Sequence, residues 1–197
     1  YQVEAQRVSL SKTFTNEADF LKSLNMVSTV SGFTKFNTPR VAQLSQRSNQ
    51  FNLRTVRYTD ADIEVLAKNK DVLDLSFTLE DKFGDNGLIA VVILKPLAKD
   101  PHWGGQFSDA LFVDTWFMSC RVLKRGMENF TLNTIVEKAR TAGYKRIIGE
   151  YLPTAKNKMV EHHFPELGFK KIENQETALY ELEIDSYIPR ECYIESK

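Results

Sequence analysis

Between Val72 and Glu80 (VLDLSFTLE) apolar and polar residues alternate, which puts Leu73, Leu75, Phe77 and Leu79 on one face of a strand. Leu88 to Leu97 (LIAVVILKPL) is almost wholly apolar, the pattern of a strand buried on both faces. Asn86-Gly87 lies between them and predicts the hairpin turn, because these two residues adopt positive φ at least cost. Ala110 to Met118 (ALFVDTWFM) is a third long strand, and the three predict an antiparallel meander. The period then becomes helical. Phe130, Leu132, Ile135, Val136 and Ala139 mark a helix from Met127 to Ala142, which Gly143 ends. Arg146 to Leu152 reads as a strand, Ala155 to Phe164 as a short helix, and Phe169 to Ile172 and Leu179 to Ile184 as two last strands.

The N-terminal part is less regular. Asn16 opens a short helix with Phe20, Leu21 and Leu24 inward, and Met26 to Phe33 reads as a strand. Thr38 followed by Pro39 predicts a capped helix start, with Val41 and Leu44 inward. Ser48-Asn49-Gln50-Phe51-Asn52-Leu53 surrounds one Phe with amides and a hydroxyl, either a self-capping turn or the wall of a polar pocket. Arg54 to Tyr58 is expected to be extended, and Thr59 caps a helix whose Asp60 and Asp62 suit its positive end. After one extra N-terminal helix the order is β-α-α-β-β-β-α-β-α-β-β, an α/β (α+β) chain with a mixed, mostly antiparallel sheet of about seven strands flanked by helices. We divide it into a linker and helix, 1–25, and a domain, 26–197.

Composition removes several function classes. The 197 residues carry 26 Lys+Arg against 26 Asp+Glu, so the formal charge of zero gives no electrostatic basis for tight non-specific nucleic-acid binding. No apolar run approaches the ~18 residues of a membrane span. Cys120 and Cys192 cannot build a disulfide framework, and without CxxC or clustered His no metal site is expected. A reducing cytoplasmic setting is therefore expected. The chain opens on Tyr1, so a piece of a larger protein is expected.

The segment Ser119-Cys120-Arg121-Val122-Leu123-Lys124-Arg125-Gly126-Met127-Glu128 joins the third long strand to the long helix. Backbone N–H groups converge where a helix begins, and Arg121, Lys124 and Arg125 add charge that suits a phosphate; the alternative is a solvated basic turn. Arg121-Val122-Leu123-Lys124-Arg125-Gly126 resembles the pyrophosphate loop of GNAT-type N-acetyltransferases, Arg/Gln-x-x-Gly-x-Gly/Ala, with Lys124 in place of the first glycine. Asn157 and Gly168-Phe169 also match that family, and Phe164 stands where many members have a tyrosine general acid. More narrowly, Asn49-Gln50-Phe51-Asn52-Leu53, Asp81-Lys82-Phe83-Gly84-Asp85-Asn86-Gly87, Met118-Ser119-Cys120-Arg121-Val122-Leu123 and Gly149-Glu150-Tyr151-Leu152-Pro153-Thr154-Ala155-Lys156-Asn157 resemble the C-terminal half of FkbH-like proteins. That resemblance implies an upstream HAD-type domain outside this chain. It also implies an activity that takes a glyceryl unit from 1,3-bisphosphoglycerate, releases phosphate and leaves a thioester on an acyl carrier protein, as in polyketide biosynthesis.

The two resemblances imply roles. The strand before the pyrophosphate loop splays from its neighbour in a GNAT fold, and the thioester lies in that gap. Cys120, at that strand's end, is then an acyl relay beside a carrier's phosphopantetheine arm, or else a buried small hydrophobe. His163 is the favoured base, ahead of His162 and His102. Arg121, Lys124, Arg125 and Gly126 would grip the phosphate of phosphopantetheine or coenzyme A, and Asn157 the arm. Gln50, Asn52, Asp85 and Asn86 are expected at the glyceryl hydroxyls or in their own turns; of Asp114 and Thr115, one is expected to face the cleft. Trp116 and Trp103 are candidates for packing on the arm, with core packing favoured for Trp116. Three functions follow: glyceryl transfer to a carrier, acyl-CoA-dependent N-acetylation, or non-catalytic docking of a carrier for the upstream domain. Phe164 argues against ordinary amine acetylation, whose leaving thiolate needs an acid.

Overall fold

The computed structural model describes residues 2–197. The first helix, α1 (Gln2–Ser11), precedes α2 (Glu17–Ser23), where the Asn16 side chain accepts the N–H groups of Ala18 and Asp19. The predicted strand at 26–33 is split into β1 (Met26–Ser28) and β2 (Val30–Ser31). Next come α3 (Thr38–Arg47) and α4 (Asp60–Lys68), the latter with a capping box between Thr59 and Asp62. The meander is β3 (Leu73–Asp81), β4 (Gly84–Pro96) and β5 (Ala110–Met118). The rest is α5 (Met127–Thr141), β6 (Arg146–Tyr151), α6 (His163–Glu166), β7 (Lys170–Ile172), β8 (Ala178–Glu183) and β9 (Ile194–Ser196).

The strands form one sheet in the order β7-β8-β6-β5-β4-β3-β1-β9, with β2 also on β3. Pairing is antiparallel except at β5–β6 and β1–β9. Strand β4 explains the two-layer packing. Ala90, Val92 and Leu94 enter the large cluster with Phe130, Leu132 and Ile135 of α5, while Val91 and Ile93 enter a second cluster with Val41 and Ala42 of α3 and Ile63 of α4. A continuous apolar run is needed because both faces are covered. At its C-terminal end α5 hands over to Gly143, whose φ of +89° turns the chain back.

Five expectations are corrected. The hairpin turns at Lys82 and Phe83, where Asp81 pairs with Gly84 and the Asp81 carboxylate accepts the Phe83 N–H at 2.9 Å. Asn86-Gly87 instead makes a bulge in β4, with Gly87 at φ +71° between the pairs Glu80–Asp85 and Thr78–Leu88. Thr38 does not cap α3. Its hydroxyl donates to the Thr34 carbonyl, and Thr34 and Asn37 form a reciprocal pair that fixes the entry. Residues 155–164 are not one helix but a 3₁₀ turn at Lys158–Val160 followed by α6, because the Asn157 side chain is spent on neighbouring loops. Finally, Arg54 to Tyr58 has no ladder partner and stays irregular, while β2 and the unforeseen β9 raise the strand count to nine.

Gly149, inside β6, shows how tightly this end is packed. A Cβ there would stand 2.5 Å from the buried Phe164 ring, and no flexible side-chain end can yield. Gly149→Ala is expected to cost about 1–3 kcal/mol, read as a lowered midpoint in thermal or denaturant unfolding.

Candidate functional site

Strands β5 and β6 pair only at Ala110, Leu111 and Phe112, opposite Arg146, Ile147 and Ile148, and then diverge. Arg54 sits in the fork. Its Nε donates to Glu150 Oε1 at 2.9 Å, its Nη1 to the Asp114 carbonyl at 2.8 Å, and its guanidinium lies 4.7 Å from the Phe112 ring centroid. Asp114 is held by the Tyr58 hydroxyl, by Thr115 Oγ1 at 2.8 Å and by Lys95 at 3.2 Å. Burial alone would raise the Asp114 carboxyl, but Tyr58, Lys95, Thr115 and Arg54 outweigh it and hold the pKa below the usual carboxylate value. Burial and the Asp114 charge push the Tyr58 phenol up. Asp114 and Thr115 thus belong to a buried brace rather than a cleft face.

Beyond the fork the gap is filled by the chain itself. Met118 N–H donates to the Phe51 carbonyl at 3.1 Å, Leu53 N–H to the Trp116 carbonyl at 3.3 Å, and Leu152 N–H to the Leu53 carbonyl at 2.9 Å. Residues 51–53 therefore stitch β5 to the end of β6. Asn157 Nδ2 donates to the Asn52 and Leu152 carbonyls, both at 2.9 Å, and both asparagines are buried. The expectation that Asn157 and Asn52 meet a ligand is corrected: their amides satisfy backbone that would otherwise be orphaned. The expectation of an open gap with exposed β5 N–H groups is corrected at Met118 on the same ground.

Cys120 lies just outside this seal, exposed, on a 3₁₀ turn (Cys120–Val122) in which Ser119 Oγ accepts the Arg121 N–H. It is therefore not a buried hydrophobe. Its Sγ donates to Gln50 Oε1 at 3.3 Å. Two clefts meet at this thiol. One, of about 540 Å³, is walled by Arg47, Ser48, Asn49, Gln50, Ser119 and Lys156, two cations with no carboxylate. The other, of about 450 Å³, includes Glu4, Arg7, Asp85, Asn86 and Arg121. The sequence-derived set is thus divided: Gln50, Asp85, Asn86, Cys120 and Arg121 come together, while Asn52, Asp114, Thr115, Asn157 and His163 do not join them. Within the bulge, Asp85 Oδ1 also accepts the Gly87 N–H at 2.7 Å, so the turn role of Asp85 is real.

The loop after Cys120 keeps the shape its pattern requires. Lys124 adopts φ +64° where the resembled motif has glycine, and Gly126 caps α5 at φ +85°. Arg121 and Lys124 are exposed, but Arg125 is buried and ion-paired to Glu4 at 3.3 Å and to Asp81 at 3.5 Å. Arg125 therefore does not present a free cation to a phosphate. Burial and nearby Arg7 push its pKa down from the ordinary arginine value.

His163 is not placed as a base for Cys120. No hydrogen bond joins the two, and the imidazole is packed edge-on to Trp116, 4.3 Å between centroids, and to Phe51 at 5.1 Å. Its Nε2 has no hydrogen-bond partner among the described residues, and burial drives its pKa down to about 3. His162 is exposed and lies 3.8 Å from Glu161; His102 sits in an exposed turn beside Trp103. Trp116 is core, and Trp103 packs on Phe112. Phe164, at the position of the usual acid, is buried against Phe169 and Tyr180. Among the described residues no group of three or more His, Cys, Asp or Glu could hold a metal ion, and no helix is long and apolar enough to cross a membrane.

Sequence reading missed the ion pairs that hold these parts: Arg54 with Glu150, and Arg7 with Asp81. Their partners lie 96 and 74 residues apart, and no local pattern marks them. Arg47 and Lys156 were also missed as cleft walls.

No family model matches this chain, and no curated protein matches it. Solved structures do. The ribosomal-protein-S18-alanine N-acetyltransferase from Escherichia coli superposes with a TM-score of 0.53 at 14% identity, over 80% of this chain and 94% of that one. The GNAT domain of S. lividans PAT gives 0.55 at 20%, over 78% and 89%. An aminoglycoside acetyltransferase in complex with coenzyme A gives 0.56 at 18%, over 79% and 94%. The chain has the GNAT acetyltransferase fold.

The buried neutral His163 makes stability pH-dependent. The unfolded chain takes up its proton near 6.5, whereas the folded chain refuses it until about 3. Stability from this group is therefore full above 6.5 and falls by about 1.4 kcal/mol per pH unit as pH drops from there towards 3. In His163→Phe that part of the slope is expected to vanish, as measured by urea unfolding at a series of pH values.

Proposed function

We propose that this chain is the acyl-transfer module of an FkbH-like protein, with Cys120 as its working group and a HAD-type domain as its upstream neighbour. The observation that carries the reading is the position of Cys120: an exposed thiol where two polar clefts meet, next to a loop with glycine-like geometry and two exposed cations. The Cys120 sulfur attacks the acyl carbon of a glyceryl acyl phosphate. The C–O bond to phosphate breaks, phosphate leaves with its electron pair, the thiol proton passes through solvent to the departing phosphate, and a thioester forms. The phosphopantetheine thiol of an acyl carrier protein then attacks that thioester, and the Cys120 sulfur departs and regains a proton. The second step, a transfer between thioesters, is nearly energy-neutral, and in both steps the leaving group departs as a stable anion. Asn49, Gln50 and Ser48 supply donors and acceptors for the glyceryl hydroxyls, while Arg47 and Lys156 suit a negatively charged donor.

Acyl-CoA-dependent N-acetylation is less well supported. The fold is shared with acetyltransferases, one of them in complex with coenzyme A. Here, however, residues 51–53 occupy the gap between β5 and β6, and Phe164 offers no proton. A second reading, docking of the carrier for chemistry upstream, is favoured by one observation: Cys120 Sγ contacts an amide and no base.

Intact-mass spectrometry separates the two readings. After mixing with a glyceryl-loaded carrier protein, the wild-type chain is expected to gain one glyceryl unit, and Cys120→Ala none. Carrier binding without an adduct in the wild type would leave the docking reading and remove the relay.

A further inference from the structure

The exposed loop after Cys120 is flanked by a charge cluster that none of the readings above uses. Asp81, with no exposed side-chain surface, accepts Arg7 Nε at 2.6 Å and Nη2 at 3.0 Å, in addition to the Phe83 N–H. It therefore has little left for Arg125, whose Nη1 lies 3.5 Å away and has no hydrogen-bond partner among the described residues although the side chain is more than nine-tenths buried. Two guanidiniums share one buried carboxylate. The second negative charge comes from α1: Glu4 Oε2 accepts from Arg7 Nη1 at 3.1 Å and from Arg125 Nη2 at 3.3 Å. Arg125 Nη2 also holds the Arg121 carbonyl at 3.2 Å, tying this pair to the turn that carries Cys120.

Glu4 is unlike the other three members of the cluster. Its side chain is 58% exposed, while those of Arg7 and Arg125 are 7%. It faces the 450 Å³ groove, where Asn86 Nδ2 is a second buried donor without a partner among the described residues. Arg125, ion-paired to Asp81 through Nη1 and to Glu4 through Nη2, lies behind this carboxylate, and the groove itself is lined by the Asn86 amide, the exposed Arg121 and a second exposed carboxylate, Asp85. Unused donors await an acceptor-rich ligand.

We propose that α1 is an autoinhibitory latch: the Glu4 carboxylate stands where a phosphate ester of the ligand belongs, and the ligand must displace it. The inference rests on the reading of residues 121–126 as a phosphate-gripping loop. It adds that the grip is closed in the resting chain and that α1 controls it. Arg7, fixed on Asp81, keeps the helix anchored while Glu4 swings out.

Coenzyme A is titrated into the wild-type chain and Glu4→Gln at low ionic strength. Because Glu4 is half exposed, the substitution leaves the fold intact, which circular dichroism checks. Glu4→Gln is expected to bind about tenfold more tightly, the scale of removing one partly screened like charge from an anion site, with the gain shrinking in high salt. Arg121→Ala in the Glu4→Gln background is expected to lose that gain. Holo and apo forms of a carrier protein, run in parallel, tell whether the phosphate comes from a carrier arm or from free coenzyme A. Equal affinity in both chains, no binding by either, or a gain that survives Arg121→Ala overturns the latch. The relay fails by a different sign: binding improves in Glu4→Gln but no adduct forms on Cys120.

Discussion

Everything around the site depends on how the chain satisfies the edge that β5 exposes when it leaves β6. A strand that diverges from its neighbour strands N–H and C=O groups in the interior, and each buried group left unpaired costs about as much as a lost hydrogen bond. Here the debt is settled internally by Phe51 and Leu53, which bond to Met118, Trp116 and Leu152. The seal then dictates what surrounds it. Phe51 packs on His163, His163 on Trp116, and the imidazole becomes a neutral spacer in an apolar box. The thiol of Cys120 is left facing solvent immediately beyond the seal.

Charge is handled by the same logic at both ends of the segment. Arg54 lies between Glu150 and Asp114 at the fork, and Arg7 and Arg125 lie around Asp81 behind the Cys120 turn. Buried ion pairs add little net stability, because desolvation consumes most of the Coulombic gain, but breaking one leaves an uncompensated charge. Their effect is therefore positional. Arg54 sets where residues 51–53 enter the sheet, and the Asp81 cluster sets where the turn bearing Cys120 can sit relative to α1. Both clusters join segments distant in sequence, so each fixes a relation that no local propensity supplies.

The parts legible in the sequence are those where a local pattern decides the outcome. The meander, α5 and its Gly143 stop were readable because period and terminator agree. Strand β9 was not, since three residues paired in parallel with β1 carry no periodic signal. Asn86-Gly87 misled because the Asp81 carboxylate caps Phe83 and makes the turn earlier, so that the positive φ of Gly87 serves a bulge. Cys120, Gln50, Arg121, Asp85 and Asn86, picked out by motif, lie along two adjoining clefts, whereas His163 and Asn157 are buried away from them. Polar residue type reports chemical capacity; whether that capacity faces ligand or satisfies backbone is decided by partners about a hundred residues away, as Asn52 and Asn157 show.

Lys124 ties fold and chemistry together. A side chain at φ +64° carries a penalty of about 1 kcal/mol or more that glycine avoids. The loop therefore accepts strain to keep a long cation at a position where the backbone needs only permissiveness. Lys124 outward and Arg125 turned in divide two adjacent cations: one is exposed, the other is buried and braces the turn that bears Cys120. Glycine at 124 would relieve the strain and remove the outer charge. A neutral long side chain would remove the charge and keep the strain, so the two substitutions separate the backbone cost from the field.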